Sequence, residues 1–214
     1  ATHLSESFKL SERLVLQKGR LKMQMTIEKN ISRNKIHPHK FALAVGCGSM
    51  LMLFGALTSA YMVRQSAGNW LEFSLPKVFT FSTLTILLSS LTLHGSYIAF
   101  KKGKESTYKL LLLATAALAL LFFVFQYQGW LALNEQGVTF ALNPSGDFVY
   151  VISWIHAAHV IGGLAALAVA ILHAFALPFK ATPKRKVRFE LTLTYWNFVD
   201  LLWVYLFLFL TFYR

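Results

Sequence analysis

Two histidines one helical turn apart, His156 and His159, and one carboxylate, Asp200, sit inside long apolar stretches of this chain. Ionisable groups at membrane depth are costly, so they face a packed interior and mark a function or a specific contact. Imidazoles there can ligate haem iron or another metal, and a carboxylate can relay protons. His94 and His173 lie in apolar stretches too, and Glu190 opens the last one. A transmembrane bis-histidine haem needs imidazoles from two facing helices at matched depth. His94 and His173 make one conceivable pair, but a two-haem cytochrome needs a second, and no further apolar stretch contains histidine. The histidines therefore read as hydrogen-bonded structural groups, with a transmembrane b-type di-histidine cytochrome as the alternative. No Lys or Arg lies at the depth of Asp200, which leaves histidine, hydroxyl or indole partners for it. His156, His159, Asp200, Glu190 and His94 are expected to form one structural polar cluster. Glu190 also suits a helix N-terminus, where negative charge is favoured.

The same stretch that holds the two histidines carries Ala158, Gly162, Ala166, Ala170 and Ala174 at four-residue spacing. Such rows let helix backbones approach closely, which favours packing where no hydrophobic drive exists between helices. A weaker version occurs in the first apolar stretch, with Ala44, Gly48, Gly55 and Ser59. The sequence has no P-loop, GxSxG, HExxH or CxxC, and no carboxylate pair placed for hydrolysis. It shows no catalytic constellation of its own, and no metal site is expected.

The elements that must hold these groups follow from composition. Of 214 residues, 56% are hydrophobic and 14% charged, more apolar surface than a soluble domain of this size could hide. Five stretches are long enough to span a bilayer: 40–63, 78–100, 108–131, 148–177 and 189–213. Backbone groups in hydrocarbon must be satisfied within the segment, so an all-α bundle of five transmembrane helices is expected. The fourth is longest and should tilt or project past one face. Pro38, Pro76 and Pro144 precede spans, and Pro178 and Pro183 follow the fourth. Eighteen Lys/Arg lie in the tail through Lys40 and in the turns 101–109 and 178–188; three, Arg64, Lys77 and Arg214, lie on the other side. This positive-inside pattern predicts a cytoplasmic N-terminus and an outer C-terminus. The net charge of +12 is thereby assigned to lipid headgroups and not to nucleic acid. Lys180, Lys184, Arg185, Lys186 and Arg188 are the expected headgroup contacts. Residues 1–39 form a polar, basic cytoplasmic segment before the membrane domain 40–214. They lack an apolar signal core, which argues against a cleavable secretory peptide. The single cysteine, Cys47, excludes an intrachain disulfide.

The segments IHAAHVIGG (155–163) and YWNFVDLLWVYL (195–206), their spacing, Glu190 before the second and the placement of His94 resemble subunit III of the haem–copper oxidases (cytochrome c oxidase subunit III), over about residues 38–214. Family members usually have seven helices, and five resemble the shorter bacterial forms that lack the first two. The resemblance implies a subunit without redox metal in a bacterial cytoplasmic membrane. It packs with subunits I and II, holds phospholipid, and supports proton uptake and turnover stability of the oxygen-reducing, proton-pumping complex. Haem and copper belong to the partner subunits, and a larger respiratory supercomplex is a further expected assembly. A quinol oxidase subunit III is the other alternative. Three positions depart from the family pattern. Ser49 and Gly129 stand where membrane-embedded glutamates are common, and Asn197 replaces a histidine. The missing carboxylates argue against proton conduction through this chain.

Overall fold

The computed structural model describes residues 16–25, 38–176, 178 and 182–213. Residues fall into two compact units, Ala1–Phe41 and Ala42–Arg214. In the first, residues 16–25 form a short exposed helix, α1. The long helices that follow are α2 (Pro38–Ser66), α3 (Val78–Lys101), α4 (Glu105–Glu135), α5 (Pro144–Ala176) and α6 (Pro183–Phe212). Among the described residues, these are the helices long and apolar enough to cross a membrane.

All five expected spans are present, and most extend further than their apolar cores. The largest extension at a single end is at the start of α6. Thr182 caps it, its hydroxyl accepting from the Arg185 amide at 3.4 Å, and Pro183 takes the first turn. Proline is at ease there because its missing N–H would have had no partner. The run from Pro183 to Arg188, expected as a turn, is therefore the first two turns of α6. The ends of α3 and α4 close with Gly103 (φ +73°) and Gly137 (φ +80°). There the Lys104 and Val138 amides bond back to the Ala99 and Leu133 carbonyls, a turn that requires a left-handed residue.

Helices α3, α4, α5 and α6 close into a ring, each packed against two others. Buried Phe79, Ile86, Leu93, Phe122, Ile152, Leu167, Trp196 and Trp203 fill it. Helix α2, from Ala42 onward, is attached differently. No pairing of α2 reaches the backbone proximity of the ring pairs. Its buried residues are Phe54, Thr58 and Tyr61, all in its second half. Phe54 reaches His156 and His159 of α5, and Tyr61 lies edge-on to Phe148 and Phe209. An open groove of about 810 Å³ lies between the last turns of α2 and the first of α5.

Beyond the end of α2, two loops are tied together. Asn143 accepts from the Leu71 amide and donates to the Asn69 carbonyl, while the Ser145 hydroxyl donates to the Leu71 carbonyl. At the same end Trp130, Trp154, Phe140 and Tyr150 pack ring against ring.

Candidate functional site

The polar groups of the ring interior hang on α3. Its hydroxyls recur every seven residues, as Ser82–Ser89–Ser96 and Thr83–Ser90–Tyr97, a spacing that keeps them on the same face of a packed helix. Each serves a neighbouring helix. Trp203 donates to Thr83 and Trp196 to Ser89, both at 3.0 Å. Gln126 donates to Ser82 at 3.1 Å, and Ser96 donates to the Tyr108 carbonyl at 3.0 Å. Thr92 and Thr115 share a hydrogen bond at 2.9 Å. Ser90 donates to Asp200, and its hydroxyl also lies 2.9 Å from the side-chain amide oxygen Oδ1 of Asn197. Tyr97 donates to Glu190 at 2.6 Å. Hydrogen bonds of this kind are the polar glue between apolar helices. Histidines and carboxylates do not mark this spine in the sequence; the seven-residue recurrence of Ser and Thr is the signal for it.

The single polar cluster expected from the sequence is four separate arrangements. Asp200 is 2% exposed and bonded to Ser90, with no hydrogen bond to histidine. Glu190 pairs with Tyr97 two to three turns away, and His94 is exposed on the outer side of α3. His156 is fully buried, with rings of Phe54, Phe122 and Trp203 around it and neither ring nitrogen bonded. His159 Nδ1 lies 2.7 Å from the Ile155 carbonyl of its own helix, and its own carbonyl accepts from the Tyr195 hydroxyl at 2.9 Å. Among the described residues, no three His, Cys, Asp or Glu side chains converge as a metal site would require.

The expected small-residue row also differs from the observed seam. Ala158 and Gly162 are exposed, Ala166 and Ala170 half-buried, and Ala174 buried. Close approach of α5 to α6 is made one position later, at Gly163. A Cβ there would stand 3.1 Å from ring carbons of both Tyr195 and Trp196, against 3.4 Å from the Tyr195 hydroxyl at Gly162. Gly46, Gly48 and Gly55 of α2 have nothing within 4 Å of a Cβ. At Gly129 a Cβ would meet the Phe79 ring at 2.9 Å, so that ring fills the space a longer side chain would need. Ser49 is exposed and donates to the Gly46 carbonyl.

At the Lys/Arg-rich end, a cavity of about 90 Å³ opens between α5 and α6. Ala166, Ala170 and Ala174 form one wall, Phe100, Tyr108 and Phe189 another, and His173, Arg185 and Arg188 stand beside them. Lys184 and Lys186 are exposed nearby on α6, and Lys180 lies outside the described residues.

Comparison with known proteins gives one answer. The family model of cytochrome c oxidase subunit III matches residues 71–214. A cytochrome c oxidase subunit 3 of Corynebacterium diphtheriae is 27% identical over 74% of this chain and 80% of its own length. One of Thermostichus vulcanus is 26% identical over 86% of the chain and 96% of its own length. The matched region contains the whole α3–α6 ring with its α3 spine, and the chain belongs to the cytochrome c oxidase subunit III family.

Proposed function

We propose that this chain is the non-catalytic third subunit of a bacterial cytochrome c oxidase, lying beside catalytic subunit I and with subunit II in the cytoplasmic membrane. Its N-terminus faces the cytoplasm and its C-terminus the outside, as the Lys/Arg asymmetry favours. One observation carries this role: the hydroxyls that line α3 are spent on bonds to neighbouring helices, the pattern of a scaffold and not of a reaction chamber. Haem and copper reside in the partners; the chain supports assembly, proton uptake and lasting turnover. A larger respiratory supercomplex is a further assembly proposed for the complex.

Phospholipid is its specific small ligand. The cavity between α5 and α6 supports this, since it joins an alanine-lined wall suited to an acyl chain with two guanidinium groups suited to a phosphate. Each cation near an anionic surface contributes about 1 kcal/mol.

Removing the chain from the complex tests the role. Initial oxygen reduction should persist while activity decays sooner during continuous turnover; an immediate loss of haem or of the first turnovers contradicts it. Replacing Arg185 and Arg188 with Gln should lower the phospholipid retained per purified complex, and unchanged retention would remove the lipid assignment.

A further inference from the structure

The α3/α6 seam carries polar groups that the chain leaves incompletely bonded. The two helices run antiparallel, with Tyr97 meeting Glu190, Ser90 meeting Asn197 and Thr83 meeting Trp203. Asn197 is half-buried near the middle of α6, about 20 Å from either helix end at 1.5 Å per residue. Thr194 and Leu201, one turn to either side of it, are exposed. On α3, His94 follows Ser90 by one turn, is exposed, and has no hydrogen-bond partner among the described residues.

Hydrogen-bond bookkeeping shows what is missing. Ser90 has one proton and two acceptors within reach, Asn197 Oδ1 and Asp200 Oδ2. Asp200 Oδ1 has no donor. Asn197 also carries two amide protons with no acceptor among the described residues, so the seam presents an amide and an imidazole toward hydrocarbon, where no solvent can complete their hydrogen bonds. The outward face of α4 is different, with exposed Leu113, Leu120, Leu121 and Val124, a surface that lipid chains satisfy.

We propose that the α3/α6 seam is the docking face for a transmembrane helix of a partner subunit, which is apolar overall and presents side chains that both accept and donate hydrogen bonds (carboxamide or hydroxyl) at the level of Asn197 and His94. The oxidase assignment above supplies the candidate partners, and the seam rests on that assignment only for their identity. The occupant is a helix and not an acyl chain, because an acyl chain can neither accept nor donate a hydrogen bond.

Photo-crosslinking in the assembled complex tests this without touching the polar groups. A photoreactive residue replaces exposed Leu91, next to Ser90 on α3, or exposed Leu201, one turn from Asn197 on α6, or Leu120 on α4 as the control, and adducts are identified by mass spectrometry. The expected result is an adduct with one partner subunit from Leu91 and Leu201, and lipid adducts from Leu120. Lipid adducts alone from both seam positions overturn the docking face while leaving the oxidase assignment intact. A stoichiometric adduct with a protein that is not an oxidase subunit supports the face and overturns the assignment. As a second measurement, Asn197→Leu should lower retention of the chain in washed complexes roughly threefold, the worth of an average interhelical hydrogen bond; retention equal to wild type in that variant speaks against the seam.

Discussion

Helices α3–α6 and helix α2 hold on to their neighbours by different means. Within the ring, backbones approach closely and buried indoles and carboxamides find hydroxyls on α3, as in Trp203–Thr83, Trp196–Ser89 and Gln126–Ser82. Helix α2 stands off, touching the ring through the ends of long side chains: Phe54 against the two histidines, Tyr61 against Phe148 and Phe209, and a Thr58–Tyr205 hydroxyl pair at 3.1 Å. Directional bonds at close range fix a register, whereas aromatic tips at a distance fix only a position. The ring is therefore the closely bonded part of this subunit, and α2 is held to it by side-chain tips alone.

The largest expected effect is on the ring. Trp203→Ala removes a fully buried indole packed on Phe79, Phe122 and His156 and leaves Thr83 without its donor. A loss of about 3–5 kcal/mol is expected, read as a large drop in the thermal unfolding midpoint of the purified subunit in detergent. Gly163→Leu comes next, forcing a side chain into the Tyr195 and Trp196 rings at a cost of about 1–3 kcal/mol. The same change at Gly55 of α2 should leave the unfolding midpoint of the isolated subunit nearly unchanged, because nothing lies within 4 Å of a Cβ there. Equal losses from Gly163→Leu and Gly55→Leu would erase the contrast between ring and α2.

Asp200→Asn tests whether the buried carboxylate is structural. Disturbing its bond to Ser90 should cost on the order of 1–3 kcal/mol, seen as faster inactivation on heating, with the initial oxidase rate preserved. A complex that assembles and unfolds normally but starts slowly would assign Asp200 to proton transfer. The smallest effect is expected from Tyr205→Phe, which deletes the α2–α6 hydroxyl pair. About 0.6 kcal/mol is expected, and protease access to α2 should rise before the ring unfolds.

Much of this was legible in the chain. Apolar length predicted five spanning helices because a backbone in hydrocarbon has few alternatives, and prolines marked three of the starts. The start of α6 is harder to read, because the basic run after Pro183 resembles a turn, although the Thr182–Pro183 pair is itself a helix-opening signal. The row Ala158–Gly162–Ala166 was given the seam that Gly163 holds. Four-residue spacing identifies a helix face but cannot say which face meets a neighbour; the large rings of Tyr195 and Trp196 across the gap decide that. The stand-off of α2 had no local signal at all, since its glycines and alanines look the same whether a helix lies against them or not. His156 and Asp200 were rightly singled out as buried, yet their partners turned out to be rings and a serine, choices set by packing and not by charge.

One measurement bears most directly on the assignment of this chain as a metal-free third subunit. The tagged chain is purified both within its membrane complex and alone, and each preparation is examined by visible absorption and mass spectrometry. Haem absorbance and stoichiometric oxidase subunits I and II are expected in the complex, with a colourless chain when it is isolated. A haem spectrum from the isolated chain, or a complex without an oxygen-reducing partner, would contradict the account.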